Sequence, residues 1–266
     1  MAKPETITSA ANPLLKDVRR AVARGSLTRE GWCVAETFHL LEEALRSDCD
    51  VRAVLAAESV RSAAEARVEE RPGIKLVVVP DELFDSLSGT ETTPGVMALV
   101  KPPEWRWEQL FRGCPLVVVL DSLQDPGNCG AILRAAEAFG VTGVLFLKGT
   151  ASPYNPKTLR ASAGSLFRVP FLHGVETAAA RAALQQNHVE LYAAVPARAG
   201  VRSLSRVDLT ARCGLIIGNE ARGVGGELRS VALEVAIPTA GVESLNAAVA
   251  AGILLYEARR QRGLQF

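Results

Sequence analysis

Aromatic residues are scarce in this chain, 5% of 266 residues, which argues against a surface built from aromatic platforms for stacking bases. Cysteine is sparse and unpatterned. Cys33, Cys49, Cys114, Cys129 and Cys213 are odd in number and contain no C-x-x-C, which excludes a disulfide framework and the usual zinc spacings. His39, His173 and His188 are equally scattered, so no metal centre is expected. No apolar run approaches the ~18 residues that a membrane span needs. The opening MAKPETITSA lacks the apolar core of a signal peptide. A cytoplasmic protein, with neither metal nor membrane, is the expectation. A G-x-G-x-x-G fingerprint early in a strand–helix–strand unit is also missing, which counts against a nicotinamide-dependent oxidoreductase.

What is present is a large apolar fraction, 48%, mostly Ala, Val and Leu, enough to bury a real core in tightly packed α/β layers. The length suits two domains of common size. Net charge is +1, but it is unevenly spread. Residues 1–105 hold 13 Lys/Arg against 17 Asp/Glu, whereas residues 1–29 alone hold six against two. The extreme N-terminus is therefore basic, and Lys16, Arg19, Arg20, Arg24 and Arg29 form a candidate arm for phosphate. A basic stretch of this kind is more often a solvated helix face than an RNA site.

Asn12-Pro13 opens a helix through about Arg24, with Leu14, Leu15, Val18 and Val22 at helical spacing. Short strands near 32–35, 51–56, 74–79 and 96–100 alternate with helices, one of them capped by Thr37. Residues 1–104 thus read as a smaller α/β domain. The stretch KPPEWRWEQLFRGCP breaks periodicity with proline, tryptophan and glycine, and residues 105–115 read as a linker. Residues 116–266 restart with the apolar strand Leu116–Leu120, and further apolar strands alternate with helices. That pattern implies a parallel sheet covered on both faces.

Three segments place polar residues just past predicted strand ends, where open α/β sheets bind ligands. The first, DSLQDPGNCGAILR, holds Asn128 as a candidate helix cap and Arg134 in the second turn. The second, GLIIGNEARG, brings a buried strand into Gly218, Asn219 and Glu220. The third, IPTAGVESLN, runs from Ile237 to Ser244, Leu245 and Asn246, with Ser244 the candidate cap of a long helix. That helix is small and apolar on nearly all sides, so it belongs in a core or in a subunit interface. Each segment alone reads equally well as an ordinary capped helix or surface loop.

Together, N-x-G-A-I-x-R at 128–134, G-N-E-x-x-G at 218–223 and I-P-x-x-G-x-x-S-L-N at 237–246 resemble the three motifs of the SpoU/TrmH family of RNA ribose methyltransferases, part of the SPOUT superfamily. The N-terminal TSAANPLLKDVRR and GSLTREGWCVAE resemble, less closely, the ribosomal-protein-like recognition domain of the larger rRNA enzymes. The resemblance implies a fold that periodicity does not: a C-terminal parallel-sheet domain threaded into a trefoil knot, behind a smaller RNA-binding α/β domain. It implies S-adenosylmethionine as cofactor, held mainly through backbone groups of Gly218, Ile237 and Leu245. It implies methylation of a ribose 2′-hydroxyl, with 23S ribosomal RNA the favoured substrate because of the separate N-terminal domain. Transfer RNA, or RNA binding without catalysis, are the alternatives.

The resemblance gives Arg134 the task of activating the hydroxyl. Guanidinium is effectively never deprotonated in proteins, so a clamp on the adjacent RNA phosphate is the physically preferred role. A phosphate oxygen or a carboxylate such as Glu220 would then take the proton, while Asn128 and Asn246 orient the sugar and Ser244 contacts RNA. The family works as a homodimer whose C-terminal helices pack together, which the apolar 244–262 helix would suit.

Overall fold

The computed structural model describes residues 4–88 and 93–263, and the chain divides into two units. The first takes in residues up to Glu104 together with Tyr154–Arg168; the second takes in Trp105–Pro153 and the chain from Val169 onward.

In the first unit, β1 (Glu5–Thr6), α1 (Pro13–Arg24), β2 (Cys33–Glu36), α2 (Phe38–Arg46), β3 (Val51–Ala57), α3 (Arg61–Val68), β4 (Lys75–Val79), α4 (Asp81–Asp85) and β5 (Val96–Val100) follow in order. The sheet runs β1-β4-β3-β5-β2, with β5 antiparallel to both neighbours and the rest parallel. Helix α1 starts where its sequence says it should. Asn12 Oδ1 accepts the Leu14 N–H at 2.9 Å, and Pro13 follows. Leu15, Val18, Ala21 and Val22 make its buried stripe, packed in one core with Leu55, Val77, Phe84 and Met97.

The second unit continues with α5 (Trp107–Leu110), β6 (Leu116–Asp121), α6 (Pro126–Ala138) and β7 (Gly143–Leu147). After α7 (Pro156–Ser162), which belongs to the first unit, come β8 (Phe171–Val175), α8 (Thr177–Gln186), β9 (Glu190–Ala194), β10 (Arg202–Ser203), β11 (Cys213–Gly218), α9 (Gly226–Arg229), β12 (Leu233–Ala236) and α10 (Ala247–Gln261). The sheet order is β10-β12-β9-β11-β6-β7-β8, parallel throughout. Leu116–Asp121 is buried at every position, as expected of a strand covered on both faces. Val117, Val119, Leu145 and Ile216 share a core with Leu184 of α8 and Leu228 of α9. Helix α10 packs on α6 and β11. Edge strands β8 and β10 escape sequence reading: β8 is interrupted by His173-Gly174, and β10 is two residues long.

Two stretches depart from the sequence expectation. Residues 105–115, expected as a linker, are folded onto the second unit, where Leu110 and Phe111 are buried in its core. A Cβ on Gly143 would lie 2.2 Å from Leu110 Cγ, so only glycine admits this leucine. Residues 154–168, expected in the catalytic domain, pack in the first unit against β2. Thr158, Leu159 and Ser162 are fully buried there. Arg160 pairs with Glu36, and Arg168 meets Glu43 at 2.7 Å. Both glutamates are buried, and Glu43 also pairs with Arg46, so cationic partners offset the cost of holding these carboxylates out of water. Among the described residues, no helix is long and apolar enough to cross a membrane, and no group of His, Cys, Asp and Glu is placed to hold a metal.

Candidate active site

Strands β6 and β11 are neighbours in register, Gly218 opposite Asp121, so the first two polar segments leave the sheet side by side. Asp121 is buried, and its Oδ2 accepts the Gly225 N–H at 2.7 Å. Beyond β11 the chain doubles back at once: Asn219 and Gly223 exchange backbone hydrogen bonds of 3.0 and 2.8 Å. Asn219 Oδ1 accepts the N–H groups of Ala221 and Arg222, and its Nδ2 donates to Ser122 O at 2.8 Å. The resemblance gives Gly218 a backbone contact to the cofactor, for which a missing Cβ would leave room. The reason for glycine is closer to hand: a Cβ there would sit 2.3 Å from the Gly223 carbonyl carbon and the Val224 nitrogen. The turn itself forbids a side chain.

Both helix caps differ from the sequence expectation. Asp125, not Asn128, caps α6, accepting from the Gly127 and Asn128 N–H groups. Asn246, not Ser244, caps α10, accepting from Ala248 N at 2.9 Å and Val249 N at 3.2 Å. In each case a neighbouring residue of cap type sits closer to the true first turn. The displacement frees Asn128 for another task. Its Nδ2 donates to Glu220 Oε1 at 3.1 Å, and its Oδ1 accepts from Asn246 Nδ2 at 3.0 Å. Glu220 also accepts the N–H groups of Gln124 and Asp125 at 3.3 and 3.4 Å. One chain of hydrogen bonds therefore joins the three segments, from the N-terminus of α10 through two amides to a carboxylate. Partial burial pushes the Glu220 carboxyl up, but its backbone and Asn128 hydrogen bonds outweigh this, and it lies below the usual range. It is an ionised acceptor, already supplied with donors.

Beside this chain lies a cleft of about 640 Å³ lined by Ile217, Gly218, Ile237, Leu245, Ala247 and Ala250, among others. That volume falls within the roughly 300–1,000 Å³ of small-molecule sites. The three residues expected to hold the cofactor, Gly218, Ile237 and Leu245, all line it, as do Glu220, Ser244 and Asn246. A lining that joins an apolar wall of Ile217, Ile237 and Leu245 to charged and polar side chains, with turns rich in exposed backbone, fits an adenosyl group carrying an amino-acid tail. Asn128 and Arg134 are not part of the lining. Arg134 stands on the exposed side of α6 with no hydrogen-bond or ion-pair partner among the described residues.

The basic arm is split. Arg19 donates to Ser86 O and Oγ, and Arg20 pairs with Asp17. Lys16, Arg24 and Arg29 are exposed, with no side-chain partner among the described residues. The sequence shows Asp121 and Asn219 only as polar residues past strand ends; it does not show that they bind the turns together, nor the Arg198–Glu234–Arg229 cluster at the cleft. Asp121 and Asn219 carry a legible signal, a polar residue at the carboxyl end of an apolar strand. Arg198 carries none.

Helix α10, expected to be buried all round, is two-faced. Ala251, Leu254, Leu255 and Ala258 are buried within the protomer. Val249, Ile253 and Tyr256 are 51%, 37% and 56% exposed.

Comparison with known proteins fits this architecture. Residues 115–256 match the model of the SpoU rRNA Methylase family, and residues 12–98 that of the MRM3-like substrate binding domain. The chain is 32% identical to the Bacillus subtilis 23S rRNA (guanosine(2553)-2′-O)-methyltransferase RlmP, over 95% of this chain and 98% of that one. It is 35% identical to the Xanthomonas axonopodis 23S rRNA (guanosine-2′-O-)-methyltransferase RlmB, over 87% and 96%. The crystal structure of the SpoU methyltransferase AviRb from Streptomyces viridochromogenes, in complex with the cofactor AdoMet, superposes with a TM-score of 0.82 at 27% identity. That match covers 94% of this chain and 99% of the other.

Proposed function

Because the chain belongs to the SpoU rRNA Methylase family, we propose that it methylates a ribose 2′-hydroxyl of 23S ribosomal RNA, using S-adenosylmethionine. The observation that carries this is the hydrogen-bonded chain Glu220–Asn128–Asn246, which ties three segments together beside the cleft. The match of residues 12–98 to a substrate-binding domain favours ribosomal over transfer RNA. Guanosine is the base named for the two relatives, and so the first to look for.

When bound, the cofactor supplies an activated methyl group; the protein must position the hydroxyl in line and dispose of its proton. Backbone groups of Gly218, Ile237 and Leu245 hold the adenosyl moiety in the cleft, within loops that the family threads into a trefoil knot. Arg134, without an internal partner, clamps the RNA phosphate beside the target ribose and stabilises negative charge on the attacking oxygen. Glu220 serves Asn128 rather than the proton, because its low pKa and its three donors make it a poor base. A phosphodiester oxygen is a weaker base still, so the proton leaves to solvent water as the methyl group is transferred. Asn128 and Asn246 orient the ribose, and exposed Ser244 contacts RNA at the cleft mouth. Lys16, Arg24 and Arg29 hold RNA phosphate, with Arg19 and Arg20 supporting the arm. The protein is a cytoplasmic homodimer joined along Val249, Ile253 and Tyr256 of α10, an apolar face that water would otherwise cover.

The test is methyl transfer from labelled S-adenosylmethionine to unmodified 23S rRNA, free and in ribosomal particles, with ribose methylation mapped by nucleotide. One 2′-O-methyl site is expected. Label found on a base, or only in transfer RNA, would overturn the reading.

A further inference from the structure

Two arginines from separate loops share one carboxylate at the cleft. Arg198, in the segment after β9, donates from Nη2 to Glu234 Oε2 at 2.6 Å. Arg229, which ends α9, donates from Nε to Glu234 Oε1 at 2.6 Å, with Nη2 at 2.5 Å from the same oxygen. Both arginines line the cleft; Glu234 does not. Two guanidiniums on one carboxylate leave a net charge of +1. Nε and Nη1 of Arg198 and Nη1 of Arg229 keep their donors, with no further bond among the described residues. Hydrogen bonds from Arg229, ahead of those from Arg198, hold the Glu234 carboxyl below its usual range, so the clamp stays charged at neutral pH.

The other charged groups lining the cleft are Glu220, Arg222 and Glu243. Glu220 is committed to Asn128 and the 124–125 backbone. The Arg222 side chain projects from an exposed turn without a partner among the described residues. Only the Arg198–Arg229 pair is both cationic and held in place in advance, the condition under which a charged contact gains most. S-adenosylmethionine carries a sulfonium, an ammonium and a single anionic group, its α-carboxylate.

We propose that Arg198 and Arg229 form the subsite for the carboxylate of the cofactor's amino-acid moiety, and that Glu234 is the positioning residue that holds both guanidiniums ready. This rests on the reading of the cleft as the S-adenosylmethionine site. The apolar wall formed by Ile217, Ile237 and Leu245 would take the nucleoside part, leaving the amino-acid end to reach the arginines.

Two ligands separate the ends of the cofactor. S-adenosylhomocysteine keeps the amino-acid moiety; 5′-methylthioadenosine keeps only the nucleoside. Calorimetry on the full chain should show Arg198→Ala and Arg229→Ala each weakening S-adenosylhomocysteine about tenfold while leaving 5′-methylthioadenosine unchanged. Glu234→Gln should weaken S-adenosylhomocysteine less, and raise KM for S-adenosylmethionine more than it lowers kcat. Arg222→Ala should leave both affinities as they are, and Arg198→Lys should recover part of the loss. Equal losses for the two ligands would overturn the proposal in favour of a structural ion cluster. Unchanged S-adenosylhomocysteine affinity with a shallower salt dependence of rRNA binding would overturn it in favour of a phosphate site. Failure of the wild-type protein to bind either nucleoside would instead remove the cofactor reading itself, and the subsite with it.

Discussion

Arg134 and Asn246 sit at opposite ends of the site's logic. Arg134 is exposed and has no partner among the described residues, so nothing in the fold needs it. Its replacement should cost activity without cost to stability. Arg134→Ala should lower kcat about a hundredfold or more, the scale of a lost charge-stabilising donor. Arg134→Lys should retain part of the activity, with cofactor affinity nearly unchanged in both. A phosphate clamp leaves the shape of the pH–rate profile intact in the lysine variant; a basic limb moved toward the pKa of lysine would show a proton acceptor instead. Asn246 has two duties, capping α10 with Oδ1 and orienting Asn128 with Nδ2. Asn246→Ala should cost ~1 kcal/mol of stability, roughly 2–4 °C in Tm for a domain of this size. Asn246→Asp keeps the cap acceptor but loses the donor and adds a carboxylate near Glu220. It should therefore hold Tm near the wild-type value while activity falls as far as in the alanine variant. Recovery of activity in the aspartate variant would show that only the cap matters. At this scale the motif residues were legible and their division of labour was not. Asn128 and Ser244 satisfy the composition rule for caps as well as Asp125 and Asn246 do, and only the backbone path at each helix start chooses between them.

At the scale of elements, α1 and α10 each offer one face to their own core and one outward. For α1 the outward face is charged. Neutralising Lys16, Arg24 and Arg29 together should weaken rRNA binding and flatten its dependence on salt, by roughly 0.7–0.9 in slope for each RNA phosphate no longer paired with a cation. Filter binding across a salt series reads this, and an unchanged slope would reduce the arm to a solvated helix face. Arg19 and Arg20 are tied to Ser86 and Asp17, so adding their substitution should change the slope less. For α10 the outward face is apolar. Ile253→Glu with Tyr256→Glu should convert a dimer to a folded monomer in sedimentation at micromolar concentration. Ala251 is unsuited to this test, because it is buried in its own protomer, where a larger side chain would probe the core. A wild-type chain that sediments as a monomer would end the dimer reading. Periodicity places both helices within a few residues of where they are. It does not foresee the exposed side of α10, since valine, isoleucine and tyrosine look alike to a hydropathy pattern whether they meet a core or a partner.

At the scale of the whole molecule, the second unit is fastened at the C-terminal end of α10, far along the chain from the motif that opens the helix. Gln261 donates to Val207 O and accepts from Leu209 N, while Arg262 donates to the carbonyls of Leu209, Cys114 and Ala211. Glu257 orders this end by accepting from Arg260 and Gln261, and these bonds hold its carboxyl at about 2, below its ordinary 4.5. A carboxyl depressed in the folded state contributes stability that is present above its unfolded pKa and lost as pH falls through its folded pKa. Denaturant midpoints should therefore decline between pH 4.5 and about 2, and more shallowly in Glu257→Gln; parallel curves would remove Glu257 from the account. The linear sequence by itself determined the α/β class, the apolar strands of the parallel sheet, the position of α1 and the three polar segments past strand ends. Each of these is written in local periodicity, or in residue types that do one kind of chemistry. Only the tertiary structure decided that 105–115 is core rather than linker, that 154–168 packs in the first unit, and that Glu220, Asn128 and Asn246 form one hydrogen-bonded chain. It alone brought Arg198 and Arg229 onto Glu234. These facts rest on pairings between residues tens of positions apart. Burial and hydrogen bonding there depend on which strand lies beside which, and no local pattern encodes that.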